Sequence, residues 1–81
     1  MRIRLRYFAF AAEATGCENE TVEMTAGATA ADVVALATQR HPGLAGAGFR
    51  PLVAVNRRHA TLSHPLSDGD EVALFPPLSG G

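Results

Sequence analysis

The most specific pattern for chemistry lies in the last six residues of the chain. In order, they are Pro76, Pro77, Leu78, Ser79, Gly80 and Gly81. Proline cannot donate a hydrogen bond to a β-ladder, so the pair should end any strand before it and project the chain outward. Six extended residues reach about 20 Å, and two glycines keep the backbone narrow enough for a tight channel. We expect a tail whose terminal carboxylate enters the active site of another protein.

The rest of the sequence lacks a second pattern of this kind. His41, His59 and His64 do not follow the spacing of metal ligands, and Cys17 has neither a histidine nor a second cysteine close to it in the sequence. A glycine loop of the phosphate-binding type, between a strand and a helix, is also missing. We therefore predict no metal site, and no catalysis by the isolated chain.

Arginine occupies every second position at the start of the chain, at Arg2, Arg4 and Arg6. This spacing places three guanidinium groups on one face of a strand, which is typical of a solvated sheet surface. Docking of an acidic partner is the alternative, because clustered charge steers association. Seven basic against eight acidic residues give a net charge of -1, which argues against nucleic acid as a partner.

The composition indicates one small folded domain. With 81 residues and 47% hydrophobic side chains, the chain is too apolar for disorder and has no apolar run long enough to span a bilayer. The single cysteine, Cys17, cannot form an internal disulfide, which favours a reducing compartment. The basic residues are all arginine, so an activated C-terminus would find no lysine amine on its own chain. We expect a cytoplasmic protein without membrane attachment.

The first part of the chain predicts a pair of strands. Ile3, Leu5 and Tyr7 alternate with the arginines, a period of two that gives a strand with one apolar face. Asn19–Thr25 alternates in the same way, and we expect it to pair with the first strand after a helical turn at Ala11–Thr15.

A helix should follow over Ala30–Arg40, which is rich in good helix formers. Thr29 and Asp32 have the spacing of a capping box at its start. A His-Pro-Gly sequence ends it, because proline disfavours helical geometry at the residue before it. The connection beyond should place Leu44 or Phe49 in the core.

The second part of the chain predicts three further strands. Leu52–Val55 is the most hydrophobic short run, and we expect it to be a central strand. Asn56–Arg57 should form a turn into a short return strand at His59–Leu62. Glu71–Phe75 should be the last strand, since two prolines follow it.

This order of elements predicts an α+β fold of the β-grasp type, the arrangement of ubiquitin-like proteins. It consists of a mixed sheet of four to five strands with one main helix packed across it. We expect residues 1–75 to form the β-grasp domain and residues 76–81 to form a flexible Gly-Gly tail.

Two segments, Val53–Asn56 and His64–Gly81, resemble a known family. The Asp-Gly-Asp-Glu-Val entry to the last strand and the Gly-Gly end are shared by β-grasp sulfur carriers. A Phe-Pro-Pro sequence before that end is similar, more narrowly, to the small sulfur-carrier subunits of molybdopterin synthases.

The resemblance implies a reaction cycle at Gly81. An adenylating enzyme related to ubiquitin activators would use ATP to activate its carboxylate, and a sulfur donor such as a cysteine desulfurase or a rhodanese-type protein would convert it to a thiocarboxylate. The loaded tail would then give its sulfur to cyclic pyranopterin monophosphate in the large catalytic subunit, within a heterotetramer of two small and two large subunits. The family binds no permanent cofactor; the thiocarboxylate is the carried group.

The resemblance also assigns binding roles. Gly80 lets the reacting residue pass, and the residues before it in the tail enter the partner with it. Phe8 and Phe75 match aromatic positions through which the family docks its partners. His59 falls where the family often has an apolar residue, so it departs from the pattern while lying on the same expected surface.

Other functions fit the same residues. The sulfur acceptor could instead be a thiamine thiazole, cysteine or a tRNA base. A ubiquitin-like protein modifier would end in an isopeptide bond to a target lysine, and a simple binding module would use the tail without any chemistry. Gly81→Ala separates the last alternative from the carriers, since a binding module should tolerate it whereas every carrier should lose activation or transfer.

Overall fold

Strands and helices follow one another in the predicted order. The computed structural model describes residues 1–8, 10–44 and 52–75. Within these ranges the elements are β1 (Arg2–Tyr7), α1 (Phe10–Thr15), β2 (Asn19–Glu23), α2 (Ala30–Arg40), β3 (Leu52–Val55), β4 (Arg58–Ala60) and β5 (Glu71–Phe75). None of the helices in them has the length and apolar content that crossing a bilayer requires.

The five strands form one mixed sheet in the order β2-β1-β5-β3-β4. β5 runs parallel to β1, and the other neighbouring pairs are antiparallel. The expected pairing of the first two strands is confirmed, and Leu52–Val55 is a central strand as predicted, since β3 pairs with β5 on one side and β4 on the other. The middle position of the sheet belongs to β5. Both strands contain three consecutive buried residues, so hydrophobicity alone does not distinguish the middle strand from its neighbour.

The core lies between α2 and one face of the sheet. Helix α2 buries Ala30, Val33 and Ala37, whose spacing of three and four residues forms a single stripe. The fully or almost fully buried sheet residues around them are Ile3, Leu5, Tyr7, Val22, Val53, Val55, Val72 and Leu74. Leu44 is buried as well, which confirms one of the two candidates for the connection after the helix. The other, Phe49, lies outside the described residues.

The start of α2 follows the predicted capping pattern. Thr29 is the N-cap residue, and its backbone N–H donates a 2.8 Å hydrogen bond to Oδ2 of Asp32. This satisfies a donor that the helix itself leaves unpaired. The capping residues therefore fix where the helix begins.

The turn between β3 and β4 is tighter than expected. Asn56 and Arg57 have φ angles of 51° and 70°, so both central residues of the hairpin are left-handed. Such a two-residue turn lets pairing resume at once, with Arg58 opposite Val55. The return strand is therefore Arg58–Ala60, and its predicted range of His59–Leu62 is displaced. Strand β2 similarly ends at Glu23 rather than at Thr25.

Candidate functional site

The side of the sheet that faces away from α2 is called the open face here. It follows from the period of two in β1, where Ile3, Leu5 and Tyr7 point into the core and the arginines between them point outward. Cross-strand register then places the same-facing residues of the other strands beside them. The open face contains Arg4, Arg6, Phe8, Leu52, Ala54, His59, Glu71, Ala73 and Phe75.

An aromatic pair stands at one end of the open face. The rings of Phe8 and Phe75 are stacked, with centroids 4.7 Å apart and an interplanar angle of 8°. They meet because β1 and β5 are parallel neighbours, and the N–H of Phe8 continues the ladder with a 3.2 Å hydrogen bond to the carbonyl of Leu74. The guanidinium of Arg6 lies 5.1 Å from the Phe8 centroid. Both rings are partly exposed, so this pair forms an apolar, aromatic patch on the surface.

The third predicted docking residue, His59, lies on the same face in a different row of the sheet from Phe75. Register places Arg6, Ala73, Ala54 and His59 in one row across four strands. The two alanines in the middle carry the smallest side chains of the row, so its centre is shallow. His59 is exposed on the edge strand β4. It therefore marks the rim of the open face rather than its centre.

The opposite end of the open face is charged. Arg4, Arg6 and Arg57 line a depression of about 420 Å³ together with Glu71 and other polar residues. A guanidinium nitrogen of Arg4 lies 3.8 Å from Oε2 of Glu71. The open face thus changes along the strands from apolar and aromatic to arginine-rich.

The predicted reactive tail, residues 76–81, lies outside the described residues. The last described residue, Phe75, ends the central strand β5 and belongs to the aromatic pair. The tail therefore begins at the aromatic end of the open face.

A second group of polar residues was missed by the sequence analysis. Tyr7, Glu20 and His41 meet where α2 ends beside β1 and β2. The Tyr7 hydroxyl donates a 2.5 Å hydrogen bond to Oε2 of Glu20, and Nε2 of His41 lies 2.6 Å from the same oxygen. Cys17 joins them, so this thiol has a histidine near it in space although none lies near it in the sequence.

This group has a distinct electrostatic character. Burial, followed by the hydrogen bond to Glu20, raises the pKa of the Tyr7 phenol far above its usual value. Burial opposes ionisation of Glu20, but hydrogen bonds from Tyr7 and His41 outweigh it and hold the pKa of that carboxyl below its ordinary range. Glu20 is consequently an anion held among donors.

A mixed five-stranded sheet crossed by one main helix defines this domain as a ubiquitin-like β-grasp protein. Comparison with known proteins agrees. The sequence profile of the ThiS family matches residues 5–81. The chain therefore belongs to the ThiS family.

Individual relatives are similar over their full length. The molybdopterin synthase sulfur carrier subunit of Chlamydomonas reinhardtii is 37% identical over 83 residues, with all of both chains covered. The crystal structure of SAMP1 from Haloferax volcanii superposes with a TM-score of 0.87 at 31% identity, again covering both chains completely. A complex of subunits 1 and 2 of the molybdopterin-converting factor from Helicobacter pylori contains a chain with a TM-score of 0.68 and 28% identity, with full coverage of both.

Proposed function

We propose that this protein is the sulfur carrier of a molybdopterin synthase, with Gly81 as the carrying residue. The observation that carries the proposal is the Phe8–Phe75 pair at the point where the Gly-Gly tail begins. A docking surface beside the root of a reactive tail allows the domain to bind outside an active site while the tail enters it. Full-length similarity to a sulfur carrier subunit supports this function.

In this proposal, the two parts of the chain have different roles. Residues 1–75 form the domain that partners recognise, and residues 76–81 form the tail. Gly81 carries the sulfur, while Gly80, Ser79, Leu78, Pro77 and Pro76 line up behind it in the partner's channel. Glycine at the last two positions leaves no side chain to obstruct the approach of the carboxylate.

The chemistry begins with activation of the Gly81 carboxylate. A carboxylate is a poor acyl donor because its leaving group would be an oxide. When bound to an adenylating enzyme, the carboxylate attacks ATP. This forms a mixed anhydride with AMP and releases pyrophosphate. A sulfur donor then displaces AMP, which leaves a thiocarboxylate with one oxygen replaced by sulfur. None of these steps requires a cofactor bound to the carrier itself.

The large subunit of the synthase is the proposed recipient of the loaded tail. The Helicobacter pylori complex pairs subunits 1 and 2 of a molybdopterin-converting factor, and its matching chain supports such a partner here. We place the contact on the open face, with Phe8 and Phe75 at its apolar end and His59 at its rim. Cyclic pyranopterin monophosphate is the proposed sulfur acceptor, and two small and two large subunits the proposed assembly.

Protein modification is the second candidate function. It is favoured by similarity to small archaeal modifier protein 1 of Haloferax volcanii, which is 33% identical over 84 residues. Activation of Gly81 would be the same, but a lysine amine of a target would displace the activated group and form an isopeptide bond. The absence of lysine from this chain means that such a modifier would not build lysine-linked chains on itself.

Intact mass spectrometry tests these proposals. After incubation with ATP, an adenylating enzyme and a sulfur donor, we expect a gain equal to the exchange of one oxygen for one sulfur. The gain should be absent when Gly81 is deleted. Adding the large subunit with cyclic pyranopterin monophosphate should remove the gain and form the dithiolene product. Retention of sulfur under those conditions, with isopeptide adducts on added lysine-containing protein, would favour the modifier instead.

A further inference from the structure

The group formed by Cys17, Glu20 and His41 is called the Cys–Glu–His cluster below. Cys17 follows α1, Glu20 lies in β2 and His41 directly follows α2. A thiol sulfur, a carboxylate oxygen and an imidazole nitrogen of these residues all lie within 4.8 Å of one another. Phe8 and Phe75 are not members of the cluster, whereas Glu20 also lines the depression beside Arg4 and Arg6 on the open face.

The three donor types match the preferences of zinc. Zn²⁺ binds cysteine sulfur at about 2.3 Å and histidine nitrogen or carboxylate oxygen at about 2.0–2.2 Å, in a tetrahedron. Donor atoms around such an ion are separated by roughly 3.3–3.8 Å, as those bond lengths require. The donor atoms of the cluster all lie within 4.8 Å of one another, so small side-chain movements bring them to that spacing. The 2.6 Å contact between His41 and Glu20 has to widen to admit the ion.

Neighbouring groups hold the donors in position. The Tyr7 hydroxyl donates to Oε2 of Glu20, and the Tyr7 ring stands edge-on to the His41 ring at a centroid distance of 5.7 Å. Arg40 contacts the other carboxylate oxygen, Oε1, at 3.4 Å. In protein metal sites, groups outside the ligand set commonly hydrogen-bond to the ligands and orient them.

The cluster is also accessible. The side chains of Glu20 and His41 are each 21% exposed, and Cys17 is partly exposed. An ion can therefore enter from solvent, and three protein ligands leave its fourth position for water or for a ligand from a partner.

We propose that Cys17, Glu20 and His41 together bind one Zn²⁺ ion. This proposal departs from the prediction, drawn from sequence spacing, that the chain has no metal site. The bound ion links the end of α1, strand β2 and the end of α2. This proposal is independent of the sulfur-carrier function.

Titration of the full-length, reduced protein with Co²⁺, a spectroscopic substitute for Zn²⁺, provides the test. We expect visible bands of tetrahedral cobalt and a thiolate-to-cobalt charge-transfer band, saturating at one equivalent and abolished by excess Zn²⁺. Because Cys17 is the only cysteine, the charge-transfer band reports on this site alone. It should disappear in Cys17→Ser, and His41→Gln should weaken cobalt binding at least about tenfold.

His64→Gln is the matched control, since His64 is exposed and outside the cluster. It should bind cobalt like the wild type. Circular dichroism of each variant shows whether it is folded. The proposal is overturned if the folded wild type gives no charge-transfer band, if His41→Gln binds as the wild type does, or if His64→Gln loses binding.

Discussion

Tyr7 and Glu20 join β1 to β2 through a side-chain hydrogen bond, in which the phenol donates to Oε2 over 2.5 Å. The two residues are not direct cross-strand partners, since Glu20 stands opposite Leu5 in the register. Their link is diagonal, and His41 reaches the same oxygen from the end of α2. One ionised carboxylate therefore ties together two strands and the helix.

The Tyr7 phenol should titrate far above an ordinary tyrosine, because burial and the hydrogen bond to Glu20 raise its pKa. The chain contains one tyrosine and no tryptophan, so phenolate absorbance reports on this group alone. We expect little phenolate in the folded protein at a pH slightly above the usual tyrosine pKa of about 10. Urea-unfolded protein should titrate normally under the same conditions, whereas a folded protein that does so would contradict the buried hydrogen bond.

Stability at high pH should depend on the ionisation of the Tyr7 phenol. Because folding raises the pKa of Tyr7, this residue stabilises the native state fully at pH values below its pKa in the unfolded chain, about 10. That contribution is lost progressively as the pH rises above this value. Wild-type protein should therefore lose stability in alkali more steeply than Tyr7→Phe. Equilibrium urea unfolding across this range measures the difference. Parallel curves for the two proteins would show that Tyr7 does not contribute.

Glu20 should make the opposite contribution at low pH. Its pKa is lowered in the folded protein, so its stabilisation is present above the usual glutamate pKa of about 4.3 and is lost as pH falls through the folded value. At neutral pH, Glu20→Gln should cost about 1.5–3 kcal/mol, as for hydrogen bonds to a charged group. The cost should shrink in acid. Glu13→Gln is the control, because Glu13 is exposed on α1 and should change stability little at any pH.

The fold was predictable because its elements are marked locally. Alternation of apolar residues identified β1 and β2, and the Thr29–Asp32 spacing identified the start of α2. The place of each strand in the sheet is not marked in this way. Strands β3 and β5 carry similar buried runs, and only pairing with β1 makes β5 the middle strand.

The site was predictable only in part for a related reason. Phe8 and Phe75 were identified through resemblance to a family, and the parallel pairing of their strands explains why they stack. The contact between Glu20 and His41 spans 21 positions of sequence, with a whole helix between them. Neither residue belongs to a short motif, so only the packing of α2 against the sheet brings them together.

The left-handed turn between β3 and β4 offers a stabilising substitution. Arg57 has a φ of 70°, where a residue with a Cβ is strained by about 1–2 kcal/mol. Glycine removes that strain but adds flexibility to the unfolded chain that costs about 0.5–1 kcal/mol. Arg57→Gly should thus raise the free energy of unfolding by about 0.5–1 kcal/mol, measured by urea denaturation.

Asn56→Gly is the matched comparison in the same turn, with a φ of 51°. Its side chain accepts a 3.0 Å hydrogen bond from the N–H of Glu71 and donates one of 2.9 Å to Asp70. Glycine loses both, so this variant should be less stable than the wild type by about 1 kcal/mol. Equal effects of the two substitutions would mean that the side-chain hydrogen bonds of Asn56 do not contribute to stability.

The aromatic end of the open face should dominate binding to the proposed partner, the large subunit of a molybdopterin synthase. Truncation of a central aromatic anchor typically costs 2 kcal/mol or more, so Phe8→Ala should weaken the complex by about thirtyfold or more in isothermal titration calorimetry. Leu62→Ala is the control, because Leu62 is also apolar and is 49% exposed. It lies away from Phe8, beside the start of α2, where its carbonyl accepts a hydrogen bond from the N–H of Ala31. It should bind like the wild type. If Phe8→Ala keeps full affinity while folded, or if Leu62→Ala loses as much, the partner docks on a different surface.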